Sequence, residues 1–187
     1  THYLNNEALA SKRVEVAVVT FGTSATVLVP MQEARTLQPA RFHASGRTNM
    51  AAGIHLALDI IDDRKATYKA AGLQYYRPWI LLLTDGQANP EGFDQAVARL
   101  VAAEHARGVT VFAVGAGPHV DWQQLARLSM QRSPAPLEGL KYEELFEWLS
   151  ASLSNVSNST DFARSDEALG SMSEQISLPP LSGWTTV

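Results

Sequence analysis

Cysteine is absent from the 187 residues of the sequence. Disulfide frameworks, thiolate metal sites and cysteine nucleophiles are therefore excluded for this chain. A protein without cysteine suits a reducing compartment, and we expect this one to work in the cytoplasm.

Long apolar runs are also missing. The longest, Val14 to Phe21 and Trp79 to Leu83, are far shorter than the roughly 20 residues that a membrane-spanning helix needs. Residues 1–11 lack a basic start followed by an apolar stretch, so no signal peptide is expected. We expect no contact with a membrane.

Basic charge is scarce as well. Fifteen Lys and Arg residues against nineteen Asp and Glu give a formal net charge of −4. No basic run is dense enough to neutralise a phosphate backbone, so nucleic acid is not an expected partner. Apolar residues nevertheless make up 45% of the chain, which indicates a folded core, and the length favours one domain with extensions.

Three apolar segments are typical of buried strands. They span residues 14–21, 79–84 and 109–114. The first passes through Gly22-Thr23-Ser24 into residues 25–29, which predicts an antiparallel hairpin.

Apolar residues at helical spacing predict four helices. We expect one from Met50 to about Lys65, one that Asn89 caps and that ends near Gly108, a short one from Asp121 to Leu128, and one over residues 145–153. Helices that alternate with apolar strands predict an α/β fold: a doubly wound, mostly parallel sheet flanked by helices, with an antiparallel hairpin at its edge.

Two polar residues fall where the predicted sheet ends. Ligands of open α/β sheets bind outside the carboxyl ends of the strands. Asp85 follows the strand 79–84 directly, and Thr48 precedes the helix that begins at Met50. A carboxylate and a hydroxyl that meet there would suit a hard cation such as Mg²⁺ or Mn²⁺. The alternative is that Thr48 caps its helix and Asp85 shapes a turn.

The motifs, taken in order, resemble those of von Willebrand factor A domains, and the resemblance covers about residues 14–153. It is carried by the strand and hairpin from Val14, Ser-Gly-Arg-Thr-Asn at 45–49, Leu-Leu-Leu-Thr-Asp-Gly at 81–86 and Val-Phe-Ala-Val-Gly at 111–115. Within the superfamily, Leu-Phe-Glu-Trp-Leu-Ser-Ala-Ser at 145–152 is most similar to the bacterial tellurium-resistance TerY-like group.

The resemblance implies a metal-ion-dependent adhesion site. Such a site combines an Asp-x-Ser-x-Ser stretch after the first strand with a Thr and an Asp, here Thr48 and Asp85. It would hold Mg²⁺ or Mn²⁺, and a protein partner would complete the coordination with an acidic side chain. The residues expected to contact that partner are Ser45, Arg47, Asn49 and Gln87, although Arg47 also fits an ordinary solvated loop position.

The Asp-x-Ser-x-Ser stretch has no counterpart in the sequence. By resemblance, residues 1–154 form a domain that lacks its first strand and this metal motif, and residues 155–187 form a Ser- and Asn-rich tail. We therefore expect the two remaining ligands to bind metal poorly unless the stretch lies upstream. The slot of the absent strand would be filled by residues upstream, by a second chain, or by direct pairing of strands 14–21 and 79–84.

The expected function is a metal-dependent protein-binding module, not an enzyme, in a bacterial stress-response or phospho-signalling assembly. One alternative is a metal-assisted hydrolase or phosphoryl-transfer enzyme, which would need a base such as Glu91 or Asp94. The other is a metal-free structural scaffold.

Other polar residues show weaker patterns. Gly115-Ala116-Gly117 lacks the third glycine of a dinucleotide fingerprint. Neither Ser45 nor Ser129 has a base that the sequence reveals, so a hydrolase triad is not expected. The remaining candidates lack metal-ligand spacing: His43, His55, His105, His119 and Asp121.

Overall fold

The computed structural model describes residues 14–38 and 48–137, and it confirms the α/β fold class. The helix expected over residues 145–153 and the tail expected from residue 155 lie outside the described residues. In chain order the elements are β1 (Glu15–Phe21), β2 (Ala25–Glu33), a 3₁₀ turn (Ala34–Thr36), α1 (Met50–Ala70), β3 (Trp79–Thr84), α2 (Phe93–His105), β4 (Thr110–Ala116), α3 (Trp122–Ala126) and β5 (Ala135–Leu137).

A parallel sheet with the strand order β3-β4-β5 forms the centre of the described structure. Trp79 lies opposite Thr110 and Thr84 lies opposite Gly115, so β3 and β4 end at the same edge. The strand β5 was not predicted, because it has only three residues and Pro136 lies in its middle. A proline is tolerated in a strand only at special positions such as an edge.

The predicted hairpin is confirmed. Strands β1 and β2 pair antiparallel, with Val19 opposite Val27 and Phe21 opposite Ala25. The turn is closed by Gly22, whose N–H donates to the carbonyl of Ser24 at 3.0 Å. Strand β2 continues to Glu33, beyond the expected end, because its pairing with β1 resumes after two shifts of register between Val16 and Val19.

The hairpin and the parallel sheet are two separate sheets in the described part of the chain. Direct pairing between residues 14–21 and 79–84, one of the expected ways to fill the slot, is thus not found there. All seven residues of β1 are only half-buried. The apolar residues on both faces of β1 predicted a fully buried strand, and the observed burial is smaller.

Helices α1 and α2 cover one face of the parallel sheet. They contribute to a single core, and burial of each large aliphatic side chain there stabilises the fold by roughly 1.5–3 kcal/mol. Its best-buried members are Met50, Ile54, Leu58, Leu100, Val109, Val111, Leu125 and Leu128. No helix within residues 14–38 and 48–137 is long and apolar enough to cross a membrane.

Helix α1 runs five residues past the predicted end at Lys65. The sequence pattern fades there because Lys65 is polar, yet its side chain is buried and donates to the carbonyl of Gly108 at 2.7 Å. This bond supplies a partner for the charge and caps a carbonyl group beside β4. The end of α1 is thus set by a tertiary contact between Lys65 and Gly108, which the local spacing of apolar residues does not reveal.

Helix α2 begins later than predicted, and Asn89 is not its N-cap. The cap is Gly92, which has a φ of 70°. The Asn89 side chain instead accepts from Glu91 N at 3.4 Å, and the Asn89 N–H donates to the carbonyl of Thr48 at 2.9 Å. The bond to Thr48 holds Asn89 in the loop, so the helix starts at Phe93.

A buried carboxylate closes the amino end of the sheet. Glu104 is 2% exposed and accepts hydrogen bonds from the Ser129 hydroxyl at 2.8 Å, Met130 N at 3.1 Å and Val111 N at 3.3 Å. The Ser129 oxygen in turn accepts from Arg132 N at 3.0 Å. Ser129 therefore holds a loop in place, and its hydroxyl has a carboxylate partner, Glu104, that the sequence did not reveal.

The first prediction concerns Gly53, where α1 meets Phe21 of β1. A Cβ atom at Gly53 would lie 2.8 Å from Cδ1 of Phe21. Gly53→Ala should therefore lower the free energy of unfolding by about 1 kcal/mol, because overpacking outweighs the gain of about 1 kcal/mol in helix propensity. In a Phe21→Ala background the same change should stabilise the protein. Equal effects in both backgrounds, measured by urea unfolding, would contradict this contact.

The second prediction concerns Glu15, which links β1 to α1. Its carboxylate accepts hydrogen bonds from Arg64 Nε at 2.7 Å and from the Tyr68 hydroxyl. Burial raises the pKa of Glu15, but the bonds from Arg64 and Tyr68 lower it by more, and the net pKa lies below its ordinary value. A lowered pKa stabilises the folded state above the unfolded-state pKa of about 4.3, and this stabilisation is lost at lower pH.

Glu15→Gln should therefore destabilise the protein by about 1–2 kcal/mol at pH 7, with a difference from wild type that shrinks below about pH 4. Urea unfolding at pH 7 and pH 3 measures both values. The exposed Asp63 on α1 provides the control, since Asp63→Asn should leave the pH dependence of stability unchanged. A destabilisation by Glu15→Gln that is equal at both pH values would argue against a role for the charge.

Candidate functional site

Three loops meet at the carboxyl end of the parallel sheet. Asp85 opens the loop after β3, Asp121 ends the loop after β4, and Thr48 lies just before α1. Asp121 N donates to the carbonyl of Asp85 at 2.8 Å, and Asn89 N donates to the carbonyl of Thr48 at 2.9 Å. The structure therefore places Thr48 and Asp85 in adjoining loops at one edge of the sheet.

Gly86 makes the turn that follows Asp85. Its φ is 78°, and a Cβ atom at this position would lie 2.7 Å from the carbonyl oxygen of Asp121. Its N–H donates to the hydroxyl of Thr84 at 3.2 Å. The turn predicted from the Asp-Gly pair is confirmed, and only glycine combines this backbone conformation with so close an approach.

The Asp85 carboxylate has one engaged oxygen and one open one. Asp85 is half-buried, and its Oδ1 accepts from Gln87 N at 3.1 Å. The expected turn-shaping role is therefore real. Oδ2 makes no hydrogen bond within the described part of the chain, so it can still accept from, or coordinate, another group.

Thr48 does not cap α1. The N-cap is Asn49, whose Oδ1 accepts from Ala52 N at 3.0 Å. Asn49 N donates to the carbonyl of Gly22, which fixes this segment against the hairpin turn. The alternative in which Thr48 serves as the cap is wrong. Among the residues described, nothing hydrogen-bonds to the Thr48 hydroxyl.

The expected partner-contacting residues are in different situations. Gln87 is exposed, although its Nε2 donates to the carbonyl of His119 at 2.9 Å and so joins two loops. Asn49 is half-buried by its capping role. Ser45 and Arg47 lie outside the described residues. Contact between any of the four and a partner stays a prediction.

Asp121 is a second carboxylate at this edge, and it is fully engaged. Its Oδ1 accepts from Gln124 N at 3.0 Å and its Oδ2 accepts from Gln124 Nε2 at 3.0 Å. The predicted capping role at α3 is confirmed. The reciprocal bond of a capping box is not formed, because the Asp121 N–H donates to Asp85 instead.

The oxygen atoms at this edge are of the type that a hard cation prefers, but there are too few of them to fill its coordination shell. Thr48 and Asp85 offer a hydroxyl and a carboxylate oxygen, the ligand types that Mg²⁺ and Mn²⁺ favour. Within residues 14–38 and 48–137, no group of three or more His, Asp or Glu side chains could hold a metal ion. Two oxygens fall short of an octahedral set, so further ligands from protein, water or a partner are required.

Neither Glu91 nor Asp94, the residues named for the enzyme alternative, forms a hydrogen bond with Asp85 in the described part of the chain. Asp94 accepts from Arg127 Nη2 at 2.6 Å on the helix surface, and Glu91 is exposed. Ser129 lies at the amino end of the sheet, with Glu104. No specific observation at the carboxyl end therefore favours catalysis.

Comparison with solved structures shows a fold similar to that of BatB. BatB, a conserved hypothetical protein from Bacteroides thetaiotaomicron, shares 14% identity at a TM-score of 0.50, over 82% of this chain and 87% of that chain. An aerotolerance-related membrane protein from Bacteroides fragilis shares 14% identity at a TM-score of 0.49, over 83% and 88%. At this identity the likeness concerns the fold alone. No curated protein matches the chain significantly.

Comparison with protein families gives a more specific result. The description of the matching family is von Willebrand factor type A domain, and the match spans residues 4–142. It includes the two sheets and three helices that the structure describes, and the loops that carry Thr48 and Asp85. The chain therefore belongs to the von Willebrand factor type A domain family.

Proposed function

We propose that this chain binds a protein partner through a divalent cation held at the carboxyl end of its sheet. Domains of this family generally mediate protein–protein interactions. One observation carries the metal-dependent part of the proposal. The backbones of Thr48 and Asp85 are tied into the loops, while the Thr48 hydroxyl and Asp85 Oδ2 have no hydrogen-bond partner in the described part of the chain.

Thr48 and Asp85 would hold Mg²⁺ or Mn²⁺ together with oxygens from outside the described residues. By resemblance, these would come from an Asp-x-Ser-x-Ser stretch, from water and from the partner. The bound cation supplies a positive charge that a carboxylate of the partner can coordinate directly. The octahedral preference of Mg²⁺ then makes binding sensitive to the position of that carboxylate.

The charge of the surrounding loops supports a dependence on metal. Asp85, Glu91 and Asp121 lie in the loops of this edge, and no described basic side chain pairs with Asp85. Without a cation, the described carboxylates of this edge repel an acidic side chain, which disfavours a metal-free complex with an acidic partner.

The finer parts of the proposal rest on the sequence. A non-enzymatic role is proposed because domains of this family are usually non-enzymatic. The stress-response setting and the TerY-like grouping rest on residues 145–152, and the cytoplasmic location rests on the absence of cysteine.

The third prediction tests the metal-bridged contact. Thr48→Ala, Asp85→Ala and Asp85→Asn should each weaken partner binding by about tenfold or more, equivalent to about 1.4 kcal/mol. A chelator should have the same effect on the wild type. Asp85→Asn preserves an acceptor for Gln87 N and changes only the charge, so its melting temperature should stay close to that of the wild type.

Pull-down by the full-length protein in Mg²⁺ and in EDTA, followed by titration of the captured partner, measures these effects. The exposed Asp63 provides the matched control, because Asp63→Ala removes a carboxylate far along α1 from the site. Equal capture in Mg²⁺ and EDTA would contradict the metal-bridged mechanism.

A further inference from the structure

Gln87 joins the loops after β3 and β4 through its backbone and its side chain. Its N–H donates to Asp85 Oδ1 at 3.1 Å, and its Nε2 donates to the carbonyl of His119 at 2.9 Å. The loop after β4 also binds Asp85 directly, because Asp121 N donates to the Asp85 carbonyl at 2.8 Å. Asp85 is therefore held by this loop at its carbonyl, and its carboxylate is held by a residue that is anchored to the same loop.

Backbone contacts bring these two loops together before the Gln87 amide is considered. A Cβ atom at Gly86 would lie 2.7 Å from the carbonyl oxygen of Asp121, and Ala88 N donates to the carbonyl of Gly86 at 2.9 Å. Gln87 is exposed, and a hydrogen bond in contact with water contributes little when its two groups must first be brought together. Here the loops are already in contact, so the amide loses little conformational entropy when it binds His119.

The bond from Gln87 N makes the two oxygens of the Asp85 carboxylate unequal. Oδ1 accepts this bond, whereas Oδ2 makes no hydrogen bond with any described residue. Fixing one oxygen restricts rotation of the carboxylate, so the direction of the other oxygen is set before a cation binds. Hydrogen bonds that orient a metal ligand in this way commonly change metal affinity by about 10-fold to 100-fold.

We propose that the Gln87 side chain orients the Asp85 carboxylate for the cation and thereby favours Mg²⁺ over Ca²⁺. This inference rests on the function proposed above, and it makes Gln87 a positioning residue, not a ligand. Mg²⁺ requires nearly ideal octahedral geometry, whereas Ca²⁺ accepts one or both oxygens of a carboxylate in a flexible arrangement. A carboxylate with Oδ1 engaged offers a single oxygen in a fixed direction, which suits Mg²⁺ better than Ca²⁺.

Isothermal titration calorimetry of the full-length protein with MgCl₂ and with CaCl₂, without a partner, tests the proposal. Gln87→Met keeps the length of the side chain and removes the amide donor. Gln87→Asn keeps the amide but is one methylene shorter, so it should not reach His119. His119→Ala is the matched control, because it removes an exposed imidazole and keeps the backbone carbonyl that Gln87 binds. Asp85→Ala shows which part of the signal comes from this site.

We expect Gln87→Met and Gln87→Asn to weaken Mg²⁺ binding by about tenfold and Ca²⁺ binding by clearly less, so that the ratio of the two affinities falls. His119→Ala should bind both cations as the wild type does. The melting temperatures of all variants in EDTA should stay close to that of the wild type, because the changes lie on the surface.

Three results would overturn the inference: no loss of Mg²⁺ affinity in the two Gln87 variants, an equal loss for Mg²⁺ and Ca²⁺, or an equal loss in His119→Ala. Mg²⁺ binding that requires Asp85 but not Gln87 would contradict this inference and leave the proposed function in place. A wild type that binds Mg²⁺ no better than Asp85→Ala would contradict the proposed function, and this inference with it.

Discussion

Peptide groups that leave the ends of parallel strands need hydrogen-bond partners, and this requirement organises the carboxyl end of the sheet. The loops satisfy one another: Asp121 N bonds to Asp85, Asn89 N bonds to Thr48, and Asn49 N bonds to Gly22. The last of these bonds also ties the hairpin to the same edge. Backbone groups thus fix the positions of Thr48 and Asp85, while the Thr48 hydroxyl and Asp85 Oδ2 take part in no hydrogen bond among the described residues.

Polar side chains differ in burial and in hydrogen bonding between the two ends of the sheet. At the amino end, Glu104 and Lys65 are buried and bonded to backbone groups of the loops around β4. An unpaired charge there would be costly, so these residues stabilise the fold only as complete networks. At the carboxyl end, Asp85 is half-buried, and its Oδ2 makes no hydrogen bond with any residue that the structure describes. The proposed function thus places binding at one end of these strands and the stabilising buried network at the other.

The sequence predicts the parts of this structure that depend on local pattern. Apolar runs identified β1, β3 and β4, and the rule that ligands bind at the carboxyl ends of strands identified the edge with Thr48 and Asp85. Contacts between distant segments decide the rest. The bond from Asn89 to Thr48 delays α2, and the bond from Lys65 to Gly108 extends α1. Neither bond follows from periodicity.

Two features of the edge show the same limit. Asn49, directly before the helix, carried a capping signal that the resemblance to an adhesion site obscured. The packing of Trp122 against Gly115 could not be predicted either, because it joins residues of two different elements. The central claim is that Thr48 and Asp85 share a cation. Anomalous diffraction from crystals of the full-length protein grown with Mn²⁺ tests this claim most directly. The account predicts a manganese peak within about 2.5 Å of both the Thr48 hydroxyl and an Asp85 oxygen. An ordered edge without such a peak would contradict it.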